Sequence, residues 1–339
     1  MGSGVFFIGQ LQKRLLTPLI VCVLVSGQTW AQVRGLSHAE ALARAYDAIL
    51  DSRFDQARAE LHRACEPTTI AACQTMIAAS EWWEIQLDPA NQARDGQFLR
   101  DTEHAIEAAE AWKTWNHHEL KRRSSWEART PRAANGECCA ANRLPPLVTE
   151  SGSRPHWSKP SQLMRGEADF QLHLVYLWYE RQPRRAIQLL DGLRGRYPHN
   201  PVFPQRIAEI QSEYLQDHET SLITWRALAD AAQAGQVAAA PLALTSARLG
   251  MAQQLNALSQ PSRAIDVLKS IVAVRPTQPY SALALSYFQL GGAYERLGQR
   301  QSARTAYQNA FDAAPHDDPY RIRTRARRAI TDLQRPERK

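Results

Sequence analysis

The chain has 339 residues, 44% of them hydrophobic, which is enough for a real core and sets a disordered chain aside. No run of alternating β-branched residues stands out, so sheet-based classes give way to an all-α reading. The formal charge of +7 is unevenly placed: Pro319 to Lys339 holds eight basic and two acidic residues, and without that tail and the leader residues Lys13 and Arg14 the body is about −1.

Residues 1–31 read as an export signal. Lys13 and Arg14 precede an apolar run of 11 residues, Leu15 to Val25, and the small Thr29 and Ala31 suit cleavage before Gln32. Such a run is too short for a bilayer core, which needs roughly 20 residues. An uncleaved anchor is the alternative. Leu19, Ile20 and Val21 lack the small residues that lipid attachment at Cys22 requires. The expectation is a periplasmic chain.

Residues 32–115 read as N-terminal helical hairpins. Ser37 and Glu40 form a capping box that opens a helix to about Leu50. After a turn at Asp51 to Arg53, a second helix from Phe54 sets Ala57, Leu61 and Ala64 on one face. A third helix, about Ile70 to Leu87, stops before Pro89. A fourth runs from about Gln97 to Trp115 with Ala105, Ala108 and Trp112 inward. Cys65 and Cys73, eight residues apart, are a disulfide candidate in an oxidising compartment, with two buried thiols as the alternative. In Glu81-Trp82-Trp83-Glu84 the two rings point about 100° apart, so one suits the core and the other only its margin.

The texture breaks at Asn116. The 46 residues to Ser161 hold five prolines, six arginines and only four Leu or Val, so 116–163 reads as an irregular linker. A reading-frame slip in a GC-rich gene is a second explanation, and resequencing distinguishes them. His117-His118-Glu119 lacks a second histidine one turn on, and the adjacent Cys138-Cys139 lacks the gap of a zinc site. Neither predicts a metal.

Helical pairs resume over 164–318. Phe170 to Tyr179 is followed by Ala186, Leu190, Leu193 and Pro198. Val202 to Leu215 pairs with Ser221 to Ala234, which carries Trp225 and Leu228. Leu249-Gly250 precedes Ala264, Leu268, Ile271 and Pro276. The last pair is the clearest: Tyr287, Leu290, Gly291 and Tyr294 share a face of one helix, Ala303, Tyr307 and Ala310 share a face of the next, and Gly298 turns between them.

Tyr280 to Pro315 resembles the tetratricopeptide repeat, a helix-turn-helix unit of about 34 residues that stacks on its own copies. The prolines here imply a period of about 39. Leu249-Gly250 lies two residues farther from Ala264 than Leu290-Gly291 lies from Ala303, leaving that register open. The resemblance implies an all-α, right-handed α-solenoid whose first helices line a groove for a peptide or helix of a protein partner. On its groove positions stand Gln171, Val175, Trp178 and Tyr179, then Phe288, Glu295 and Arg296. Trp178 and Tyr179 suit packing between repeats equally well.

The basic region 319–339 forms a capping helix, Tyr320 to Leu333, with Ile322, Ala326 and Ile330 toward the array. Arg321, Arg325 and Arg328 on one face read as a solvated face or as a site for an anionic partner, which would include a membrane surface only peripherally. The leader and the lack of interleaved aromatics argue against nucleic acid. No phosphate loop or nucleophile elbow occurs, so no cofactor is expected, and the expected function is a non-enzymatic scaffold of an envelope or secretion assembly. The rival is an enzyme, or an enzyme subunit, with a site between the N-terminal helices and the array.

Overall fold

The computed structural model describes residues 38–65, 69–127 and 165–335, with side chains except over 116–127. The export signal, Ser37 of the capping box and Cys138-Cys139 fall outside the described residues, as do the side chains of His117, His118 and Glu119.

Thirteen α-helices and one 3₁₀ turn, with no strand, make up the described residues. They are α1 Ala39–Leu50, α2 Phe54–Ala64, α3 Ile70–Leu87, α4 Asp95–Glu127, α5 Arg165–Trp178, α6 Pro183–Arg196 and α7 Val202–Glu213. There follow α8 His218–Gln233, α9 Ala240–Ala257, α10 Pro261–Val274, α11 Ala282–Arg296, α12 Arg300–Ala313 and α13 Ile322–Gln334. Each helix from α5 onward packs on the next, which is the stacking of an α-solenoid.

The repeat is most regular at its turns. The turn inside each of five hairpins holds a residue with positive φ: Ser52, Arg181, Gln216, Ser259 and Gly298. In each, the next amide bonds back to a carbonyl of the preceding turn of helix, as when Gln260 N donates to Leu255 O at 2.8 Å and Gln299 N to Tyr294 O at 3.0 Å. Five residues after each turn comes a small residue with no exposure at all: Ala57, Ala186, Ser221, Ala264 and Ala303. Nine residues after stand Leu61, Leu190, Trp225, Leu268 and Tyr307, and twelve after stand Ala64, Leu193, Leu228, Ile271 and Ala310, all buried. The small residue lets two backbones approach, and the larger ones fill the space beside it. The α1–α2 hairpin obeys the same offsets as the C-terminal ones, so it is built as one of the repeats.

The open register resolves on this ruler. Seven residues before the turn, Gly291 is matched by Ala252 and Ala45, both fully buried, rather than by Gly250. Gly250 faces the preceding hairpin. A Cβ there would sit 2.3 Å from the Trp225 ring, whereas one on Gly291 would sit 2.6 Å from Tyr307 of its own hairpin. Gly250→Ala is therefore expected to destabilise by about 1–3 kcal/mol, because a flat indole cannot swing away as a long aliphatic tip can. Equilibrium urea unfolding measures it, and an unchanged midpoint would show that the contact is slack.

Two expectations change. Helix α4 runs from Asp95 to Glu127, past the linker start expected at Asn116, because the first proline beyond it is Pro131 and the intervening residues are mostly tolerated in helices. Trp112 is 39% exposed rather than inward. His38 enters α1 at positive φ, and the expected capping box, which rests on Ser37, lies outside the described residues.

The N-terminal helices dock on the array through a polar seam. Tyr197 Oη donates to Asp47 at 3.2 Å, His199 N donates to Asp51 at 3.0 Å, and Asn200 Nδ2 donates to the Leu50 carbonyl at 2.7 Å. Beside it, Trp83, Phe170, Phe203, Leu190 and Leu193 form one core, into which Trp82 reaches only partly. Cys65 and Cys73 form a disulfide with Cα atoms 5.8 Å apart, tying α2 to α3. By loop entropy such a short clip stabilises by roughly 2–3 kcal/mol.

Candidate functional site

Helix α5 positions the first candidate residues, and its faces look three ways. Gly166, Phe170, His173 and Leu177 are buried in the core. Gln171 looks toward the N-terminal helices: its Nε2 donates to Glu167 at 2.6 Å. The same carboxylate accepts from Trp83 Nε1 of α3 at 3.3 Å and from the Tyr46 hydroxyl of α1 at 3.4 Å. Burial pushes the Glu167 carboxyl up, and those three donors pull against it. The half-buried Gln171 thus has its amide engaged by Glu167 and not turned to an open groove. Its polarity is used to hold a buried carboxylate.

The third face is open. Leu172, Val175 and Tyr179 are 39%, 40% and 72% exposed, at the three- and four-residue steps that make one stripe along a helix. Beside it, Leu177, Trp178, Arg181, Pro183 and Tyr214 line an open depression of about 390 Å³. Trp178 therefore does both things expected of it: one part packs against the core and another lines this depression. Tyr179, the next residue, points to solvent. The sequence reading missed Leu172, which the stripe spacing would have found, and Arg181 and Tyr214, which join only because α7 ends beside the α5–α6 turn.

At the far end of the array the candidate residues are more engaged than expected. The Phe288 ring lies 5.4 Å from Tyr307, and the Arg325 guanidinium sits over it at 4.3 Å. The capping helix α13 covers this ring, so Phe288 is no open groove residue. Glu295 accepts from the Tyr307 hydroxyl at 2.9 Å. Arg296 is exposed. The first and last hairpins carry their candidates separately and form no single cluster.

The arginines of α13 are likewise divided. Arg321 is exposed at positive φ at the helix entry, Arg325 stacks on Phe288, and Arg328 lies 3.8 Å from Asp332. On another side, Arg323 and Arg327 stack over Phe311 at 5.0 and 5.2 Å. Ile322 and Ala326 are fully buried against the last hairpin, as a cap requires. No cluster of three or more His, Cys, Asp or Glu suited to a metal occurs among the described residues, and none of their helices is long and apolar enough to cross a membrane.

A family model described as Tetratricopeptide repeat matches residues 285–316, which is the α11–α12 hairpin. A solved structure titled as the TPR domain of P58(IPK) is similar over 98% of this chain and 88% of that one, at 13% identity and a TM-score of 0.22. So low a score carries no argument about shape or partner, and the fold stands on the helix pairing above. No curated protein matches the chain.

Proposed function

We infer, for a tetratricopeptide-repeat chain, a scaffold that binds another protein through side chains and catalyses nothing itself. The observation that carries this is the open stripe Leu172, Val175 and Tyr179 beside the depression under Trp178 and Tyr214. Apolar side chains at these steps match the anchors of an amphipathic helix, and tyrosine and tryptophan are the types that dominate interface energetics. Arg181 at the rim would pair with a carboxylate on the partner.

The finer reading is an exported chain that organises an envelope or secretion assembly. The leader at 1–31 and the Cys65–Cys73 disulfide support it, since such bonds persist in oxidising compartments. A photo-crosslinking residue in place of Tyr179, compared with one at the exposed Gln308 on α12, tests the surface in intact cells. Discrete adducts from position 179 alone are expected, and they should vanish when Val175→Arg is added. Equal adducts from both positions would end the assignment. N-terminal sequencing of the mature chain, expected to begin at Gln32, tests export.

A further inference from the structure

Helix α3 is largely enclosed beyond its first residue: Ile70 is 44% exposed, and from Ala71 to Asp88 only Thr75 is exposed, the others being buried or half-buried. Its apolar residues, among them Ala72, Cys73, Met76, Ile77, Ala78, Trp82, Trp83 and Ile85, run around the whole circumference, the pattern of a helix enclosed between two layers. One layer is the N-terminal block: α3 packs most extensively on α4, Cys73 packs with Leu42, Ala45, Leu61 and Ala64 of α1 and α2, and Glu84 pairs with Arg58 of α2 at 3.0 Å and with Arg94 at 2.6 Å.

The other layer is the array, met always at its first helices. The Trp83 ring lies 4.8 Å from Phe170 in α5 and 5.7 Å from Phe203 in α7. Its indole N–H reaches Glu167 in α5, the carboxylate to which Gln171 is also bound. Asp88, the residue that ends α3, accepts from the Tyr280 amide with both carboxylate oxygens, at 3.0 and 2.9 Å, across 192 residues of sequence. Tyr280 stands just before Ser281, the entry to α11. The array contacts of α3 thus gather in its last turns, Trp82 to Asp88, which touch both the first hairpin of the array and the entry to the last.

The first-helix face is the one on which such an array would receive a partner's helix, and here the last turns of α3 already stand against it. We propose that these turns are an intramolecular occupant of that face, tethered at the start of α3 by the Cys65–Cys73 disulfide and clasped at its far end by Asp88 on Tyr280, so that a partner helix enters by displacing them. This rests on the scaffold reading and gives it a gate. The open stripe at Leu172, Val175 and Tyr179 is where a partner makes first contact, and the clasp sets whether it advances.

The test uses the full chain and a labelled synthetic peptide of residues 70–87 with Cys73 replaced by Ser. In Asp88→Arg, amide exchange over 80–87 and at Tyr280 should rise about tenfold or more, while the disulfide-tied 39–64 region keeps its protection. The peptide should bind this variant at least about tenfold more tightly than the wild type, in which the site is filled. Asp88→Asn, which keeps one acceptor, should shift exchange and peptide affinity the same way by less, and it guards against a variant that fails to fold. Wild type binding the peptide as tightly as Asp88→Arg, or unaltered exchange over 80–87 in both variants, would overturn the proposal. If the variant gains the peptide while position 179 yields no adduct in cells, the gate stands and the scaffold reading falls.

Discussion

Replacing Trp83 by alanine is expected to destabilise the folded chain by about 3–5 kcal/mol, among the largest single losses a core position gives. The indole is 1% exposed and meets Trp82, Phe170 and Phe203 with ring centroids 5.1, 4.8 and 5.7 Å away. No neighbour can close the space, because Phe170 and Phe203 belong to helices fixed by their own hairpins. A second effect adds to the cavity: Glu167 loses the Trp83 N–H, one of the donors that hold its carboxyl down. Trp83→Phe separates the two, keeping most of the ring and removing the donor, and should cost about 1–3 kcal/mol. Urea unfolding followed by far-UV circular dichroism measures both variants. A loss below 1 kcal/mol for Trp83→Ala, on that order-of-magnitude scale, would mean that α3 does not bridge the two layers.

The second large effect is on pH. His173 is 2% exposed, its Nδ1 is hydrogen-bonded to the Phe170 carbonyl, and burial lowers its pKa to about 3 from an ordinary 6.5. The nearby Arg206 pushes in the same direction, and the Phe170 carbonyl pushes back. The sign follows from proton counts. Between those two values the unfolded chain binds a proton that the folded chain refuses, so the contribution is complete above pH 6.5 and is lost as pH falls toward about 3. The window corresponds to a loss on the order of 5 kcal/mol. Glu167 and Asp88 act oppositely: burial raises both carboxyls, so their contributions are present at low pH and decline as pH rises through their raised values. His173→Leu should flatten the acid side of the stability curve, and Glu167→Gln should remove part of the decline on the other side. An acid slope in His173→Leu equal to that of the wild type would refute the histidine as its source.

Particular residues show how much was legible from the sequence. The second-helix series Ala264, Leu268 and Ile271, repeated at Ala303, Tyr307 and Ala310, could be read directly because the packing of a hairpin is local and its period is that of the helix. The first-helix register at Leu249-Gly250 could not. A glycine marks a close approach without saying to which neighbour, and Gly250 turned out to face Trp225 of the preceding hairpin. The repeat turns at Arg181, Gln216 and Ser259 escaped notice because these residues adopt a backbone that only Gly298 advertised, and at Asp51 to Arg53 the turn was legible but not its left-handed residue, Ser52.

By itself, then, the order of residues determined the all-α class, the helical pairs, the capping helix and the candidacy of Cys65 and Cys73 for a disulfide. All of these depend on spacings shorter than one hairpin. Tertiary structure alone decided that Gln171 binds Glu167, that Phe288 lies beneath Arg325, that Val175 and Tyr179 remain open, and that Asp88 reaches Tyr280. Those outcomes depend on how successive hairpins rotate about one another, and small rotations at each interface add up to positions that no local period encodes.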